Sequence, residues 1–73
     1  MELKSLADEQ WREYDFDGRD SVYRIHNPQS LAVGATTHRV IDDEGIVHCI
    51  PAPGFRGCVL RWKPRKGANP VAF

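Results

Sequence analysis

The sequence has no apolar run long enough to cross a membrane. Its longest uncharged apolar stretch, Ile46 to Pro53, is interrupted by His48 and closes on a proline, well short of the ~20 residues a spanning helix needs. The opening Met1-Glu-Leu-Lys-Ser-Leu-Ala-Asp-Glu9 has no apolar segment and carries early acids. No secretory signal is read there, so a cytoplasmic location is expected. Cysteine is scarce: Cys49 and Cys58 are the only two, and both are expected to be free thiols that pack as small hydrophobes. There is no C-x-x-C knuckle, no glycine-rich phosphate loop, no nucleophile elbow and no carboxylate pair. Those absences point away from catalysis and from a resident cofactor. Internal repeats are absent too.

An excess of charge is also missing. Ten Lys and Arg balance ten Asp and Glu in 73 residues, which argues against tight nonspecific binding to DNA. The charges are segregated, however. Residues 1–20 hold most of the acids, including Glu13, Asp15, Asp17 and Asp20, whereas residues 46–73 hold Arg56, Arg61, Lys63, Arg65 and Lys66 and no acid. Either the molecule has one acidic and one basic face, or the two ends lie together and neutralise. The length allows one domain with a core near the lower limit of self-sufficiency.

Local patterns predict an α+β fold, with an antiparallel sheet of three to five strands, one short N-terminal helix and an extended C-terminal tail. Ser5 is a good N-cap, and Leu3, Leu6, Trp11 and Tyr14 fall near helical spacing, so a helix is expected over about residues 6–12. Glu13 to Ile25 reads as a hairpin turning at Asp17-Gly18. Asn27-Pro28 breaks the chain, and Pro28 to Gly34 reads as a loop. Thr36 to Ile41 and Ile46 to Ile50 read as strands joined by the turn Asp42-Asp-Glu-Gly45, with glycine where a left-handed residue is needed. After the Pro/Gly-rich loop 51–57, Cys58 to Trp62 is the last expected strand. Residues 1–63 then form the domain and 64–73 a flexible basic tail.

If Ile41 opposes Ile46 and Ile50 opposes Gly57, the core face carries His38, Val40, Val47, Cys49, Cys58, Leu60 and Trp62. That register gathers His38, Cys49 and Cys58 on three neighbouring strands, a donor set chemically suited to zinc. Without a knuckle to give the tight bite, the set reads first as two buried thiols beside a capped histidine. Leu3, Leu6, Trp11 and Tyr14 are the candidate partner-binding residues, because an apolar helix stripe with Trp and Tyr suits an interface. Arg61, Lys63, Arg65 and Lys66, beside Trp62, are candidates to lie near nucleic acid.

The whole chain resembles the small RNA-polymerase-binding regulators encoded by lytic Xanthomonas phages. The resemblance rests on total size, on Ser5-Leu-Ala-Asp-Glu-Gln-Trp-Arg-Glu-Tyr14, on Thr37-His-Arg-Val40 with Val47-His-Cys49, and on Gly57-Cys-Val-Leu-Arg-Trp62. It implies a non-enzymatic, cofactor-free protein acting on the bacterial host polymerase; separately, a monomer is expected. The expected contact is the N-terminal region of the β′ subunit. The implied outcomes are inhibition of initiation by working against the σ factor, and antitermination near the RNA exit channel. The runner-up is a small zinc- or nucleic-acid-binding β module.

Overall fold

The computed structural model describes residues 2–16, 22–53 and 58–67. These residues form an all-β molecule of seven strands: β1 Glu2–Ser5, β2 Glu9–Asp15, β3 Tyr23–His26, β4 Pro28–Val33, β5 Thr37–Asp42, β6 Val47–Pro51 and β7 Val59–Pro64. They build two antiparallel sheets, one of four strands in the order β1-β4-β5-β6 and one of three in the order β3-β2-β7.

The expected α+β class is therefore wrong. No helix occurs among the described residues, and residues 6–12 run through a turn into β2. The near-helical spacing of Leu3, Leu6, Trp11 and Tyr14 arises from two strands on different sheets. Leu3 lies on β1, Leu6 in the turn, and Trp11 and Tyr14 on β2. Pro28 to Gly34, expected as a loop, is mostly strand β4. The 13–25 hairpin does form, with Tyr14 opposite Tyr23, although its expected turn at Asp17-Gly18 lies outside the described residues.

The chain changes sheets three times, and two of these corners lie wholly among the described residues. The first is the turn after Ser5, where the Leu6 amide donates to the Gln29 carbonyl at 2.9 Å and the Glu9 amide to the Leu6 carbonyl at 2.9 Å. The second is Asn27, whose positive φ of 51° is a conformation Asn tolerates better than most residues. Its amide donates to the Gln10 carbonyl at 3.0 Å, tying that corner back to β2.

The β5–β6 hairpin forms where its turn residues placed it, and Gly45 is left-handed at φ 79°. Its register is one residue off the expected one: Ile41 opposes Val47, Arg39 opposes Cys49, and His38 opposes Ile50. A one-residue slip turns a whole strand over. Val47 and Cys49 accordingly face outward, while Ile50 is buried. Nor does β7 extend this sheet beside β6. It pairs with β2 on the other sheet, Trp62 opposite Arg12 and Leu60 opposite Tyr14.

Between the sheets lies a core of Leu6, Tyr14, Ile25, Leu31, Val40, Ile50 and Cys58, with Phe16, Val33 and Leu60 packed against it. Burying a side chain of Leu, Ile or Val size contributes about 1.5–3 kcal/mol. With so few such groups, what happens to the polar side chains among them matters.

Candidate functional site

Strand β2 carries an inverted pattern. Trp11 and Glu13 point outward, and Arg12 and Tyr14 point between the sheets. A register shift between Glu9 and Trp11, where β2 meets β7, adds one residue at Gln10. A bulge of this kind re-aims the residues on either side of it. It brings Glu9 onto the same inner face as Arg12. Both side chains are fully enclosed, and they meet in a two-pronged pair: Arg12 Nε donates to Glu9 Oε1 at 2.8 Å and Nη2 to Oε2 at 2.7 Å. Two charges removed from water are tolerable only with such geometry.

The pair continues across the sandwich. Arg12 Nη1 donates to the Tyr14 hydroxyl at 3.3 Å, and that hydroxyl lies 2.8 Å from His38 Nδ1 on β5 of the opposite sheet. The two rings meet edge to face, with centroids 5.7 Å apart. Tyr14 is wholly buried and His38 nearly so. Because Arg12 already donates to the Tyr14 oxygen, the phenolic proton has one outlet, His38 Nδ1; otherwise it would be buried without an acceptor. Neutral His38 thus carries its own proton on Nε2. Burial, followed by the charge of Arg12, lowers the His38 pKa from its ordinary value. Burial also raises the Tyr14 pKa against the opposing pull of Arg12. Burial works against the Arg12 charge too, yet the hydrogen bonds to Glu9 and Tyr14 outweigh it and the pKa is raised. These shifts favour a charged Arg12 beside a neutral Tyr14 and a neutral His38.

His38 also lines a cleft of roughly 490 Å³ at one end of the sandwich, with Val33 and Ala35 on one side and Leu60 and Trp62 on the other. Sequence reasoning placed His38 and Trp62 in the core, but it missed the cleft and the relay. A signal for the relay did exist: an arginine between two aromatics, Trp11-Arg-Glu-Tyr14, in a stretch that then reads as strand.

A second histidine link lies at the rim. Tyr23 on β3 places its hydroxyl 2.7 Å from His48 Nδ1 on β6, and His48 Nε2 lies 2.8 Å from Asp42 Oδ2. Asp42 Oδ1 accepts the amides of Glu44 and Ile46 at 2.9 and 3.0 Å, which fixes the hairpin turn. The hydrogen bond from His48, opposed by burial and aided by the turn amides, lowers the Asp42 pKa.

The other sequence candidates are dispersed. Cys49 is exposed on the outer face of the four-stranded sheet, Cys58 is buried beside β7, and His38 is in the relay. Among the described residues no group of three or more His, Cys, Asp or Glu could hold a metal. Leu6 and Tyr14 are core residues, Leu3 is exposed on the four-stranded sheet and Trp11 lies on the outside of the other. These four cannot form one contact surface.

The basic and acidic ends meet instead of parting. Glu13 takes an ion pair from Arg24 and another from Arg61, and Arg61 reaches Asp15 at 3.2 Å. The Arg24 interaction, followed by that of Arg61, holds the Glu13 carboxyl below its usual range despite the opposing cost of burial. Arg24 also sits 4.2 Å above the Trp11 ring, a cation–π contact. Arg65 is tied to the Ala7 carbonyl and to Asn27 Oδ1, both at 3.0 Å. Of the four residues expected near nucleic acid, Arg61 and Arg65 are thus engaged within the chain. Lys63 and Lys66 are exposed on β7 and just beyond it.

The outer face of the four-stranded sheet differs in kind. One cross-strand row runs Leu3, Ala32, Arg39, Cys49, and the next runs Ser5, Ser30, Ile41, Val47. Leu3 is 76% exposed and Val47 57%. Arg39 is the cation among them. No protein-family model, curated protein or solved structure matches the chain. No helix among the described residues is long and apolar enough to cross a membrane.

Proposed function

We propose that the chain is a non-catalytic binding module for bacterial RNA polymerase, inhibiting initiation against the σ factor and promoting antitermination. The partner comes from the sequence resemblance, with the β′ N-terminal region near the RNA exit channel as the contact and the host cytoplasm as the setting. One observation supports the binding mode: the outer face of the four-stranded sheet leaves Leu3, Ile41, Val47 and Cys49 uncovered around Arg39. Exposed apolar side chains gathered around one charge suit a protein interface better than open solvent. The fitting surface on the polymerase would be apolar with a carboxylate for Arg39. The rigid two-sheet scaffold behind that face would let the module act as a monomeric plug.

Capture of polymerase from bacterial lysate on immobilised chain tests this reading. Wild type should retain the polymerase subunits at micromolar bait. Val47→Asp should lose them while keeping the wild-type urea midpoint, since Val47 is exposed and outside the core. Failure of the wild type to retain polymerase rejects the partner. Retention by Val47→Asp and by Arg39→Glu rejects the face.

A further inference from the structure

The cleft between the ends of the two sheets has a feature that no structural role requires. His38 Nδ1 is engaged by Tyr14. His38 Nε2 has no partner among the described residues, yet no side-chain nitrogen or oxygen there is both buried and unpaired. Nε2 therefore opens on the cleft that His38 lines. The relay beneath sets what it offers. Arg12 donates to Tyr14 and Tyr14 donates to His38, so Nε2 presents a hydrogen to the cleft. Around that hydrogen the described walls are apolar, with Val33, Ala35, Pro53, Leu60 and the flat indole of Trp62, and no charged side chain lines them among the described residues.

We propose that this cleft binds a small, uncharged, planar molecule that carries a carbonyl-type hydrogen-bond acceptor on its edge. A ring lies against Trp62 and the aliphatic wall, and its acceptor takes the His38 Nε2 hydrogen. The volume of roughly 490 Å³ is within the range of ligand pockets, which combine apolar walls with a few placed polar groups. A phosphorylated or carboxylated ligand finds no cation among the described lining residues to replace its lost hydration, which favours a neutral ligand. His38 is suited to the task because its proton is fixed on one nitrogen, leaving a preorganised donor whose orientation costs nothing on binding. This site is independent of the polymerase-binding face, since the lining residues do not include those of the outer sheet surface.

The test uses the full chain and three fragment probes: benzamide, ethylbenzene and benzoate. Ring ¹⁵N signals should first show His38 protonated on Nε2 and bare on Nδ1; the opposite tautomer overturns the proposal. Titration with benzamide should give saturable shifts at the His38 ring and the Trp62 indole, with a dissociation constant on the order of 1 mM. Ethylbenzene and benzoate should each bind at least about fivefold more weakly, the first for want of an acceptor and the second for want of a cation. Equal binding of all three, or no saturable response at His38 and Trp62 to tens of millimolar benzamide, overturns it. Tyr14→Phe, which frees the tautomer while keeping the ring, should weaken benzamide severalfold. Should that variant not fold, the wild-type tautomer and the probe ranking decide the matter.

Discussion

The molecule links its two sheets twice by the same pair of residues in two different settings. Tyr14 to His38 and Tyr23 to His48 each run from the three-stranded sheet to the four-stranded one. Each joins a phenol to Nδ1, at 2.8 and 2.7 Å, and each stacks its rings edge to face at 5.7 Å. The first is enclosed, whereas Tyr23 is 45% exposed. Their second nitrogens differ as well: His48 Nε2 meets Asp42, and His38 Nε2 meets the cleft. A tyrosine–histidine bond alone therefore does not define a role. At the rim, water can replace either partner, and the carboxylate makes the link a closed local network. In the interior, every donor is committed and only the outermost one is left over.

The sharpest break in that comparison is Arg12→Ala. It should cost about 3–5 kcal/mol by stranding the buried Glu9 carboxylate, enough to unfold much of so small a domain, and the urea midpoint would report it. Replacing both partners together, with Arg12→Met and Glu9→Leu, should recover most of the loss. Next comes the matched pair of phenol deletions. Tyr14→Phe should cost about 1–3 kcal/mol, because it takes away the hydrogen-bond partner of the buried His38 Nδ1. Tyr23→Phe should cost less than about 1 kcal/mol, because solvent reaches that rim. Equal losses would mean that the two links are energetically alike despite their burial.

Acid separates them further. The folded pKa of His38 is below its ordinary value of 6.5, so the unfolded chain takes up that proton first. Its contribution is complete above about pH 6.5 and is lost as pH falls below that value through the folded pKa. Asp42 behaves likewise lower down, losing its contribution below its ordinary 3.8. A plot of urea midpoint against pH should lose the upper limb in His38→Gln and the lower limb in Asp42→Asn. The smallest effect at neutral pH should be that of Asp42→Asn, which keeps Oδ1 as the turn acceptor. A large loss there would show that the rim network carries more of the fold than its exposure implies.

Some of this was legible in the residues. Asp42-Asp-Glu-Gly45 announced a hairpin, and the β-branched stretch from Thr36 to Ile41 announced its first strand. The hairpin's register was not legible. Asp42 and Ile46 pair across a three-residue turn closed by Gly45, with the Asp42 amide donating to the Ile46 carbonyl at 3.1 Å. Counting one residue short buried Cys49 and assembled an apparent zinc site. The helix expectation failed for a different reason. Alternation is the usual mark of a strand, but β2 buries Arg12 completely and leaves Trp11 half-buried on the outside, so its apolar pattern runs against its burial. The bulge at Gln10 then shifts Glu9 out of phase. Of the cleft, Trp62 and His38 were visible as core candidates. Their meeting was not, because it depends on β7 crossing to the sheet opposite β5.

That crossing has a consequence for how the protein comes to exist. The Glu13–Arg61 contact joins residues 48 apart in sequence, and β7 is the last strand among the described residues. Until it arrives, β2 has one open edge, and the strand that carries Glu9 and Arg12 lacks its β7 neighbour. A ribosome making this chain must therefore release it through Pro64 before the charged interior can close. Pairings this distant also form slowly. Nascent chains stalled with β7 still in the exit tunnel should thus remain sensitive to protease throughout β2, and become resistant only once Pro64 is clear.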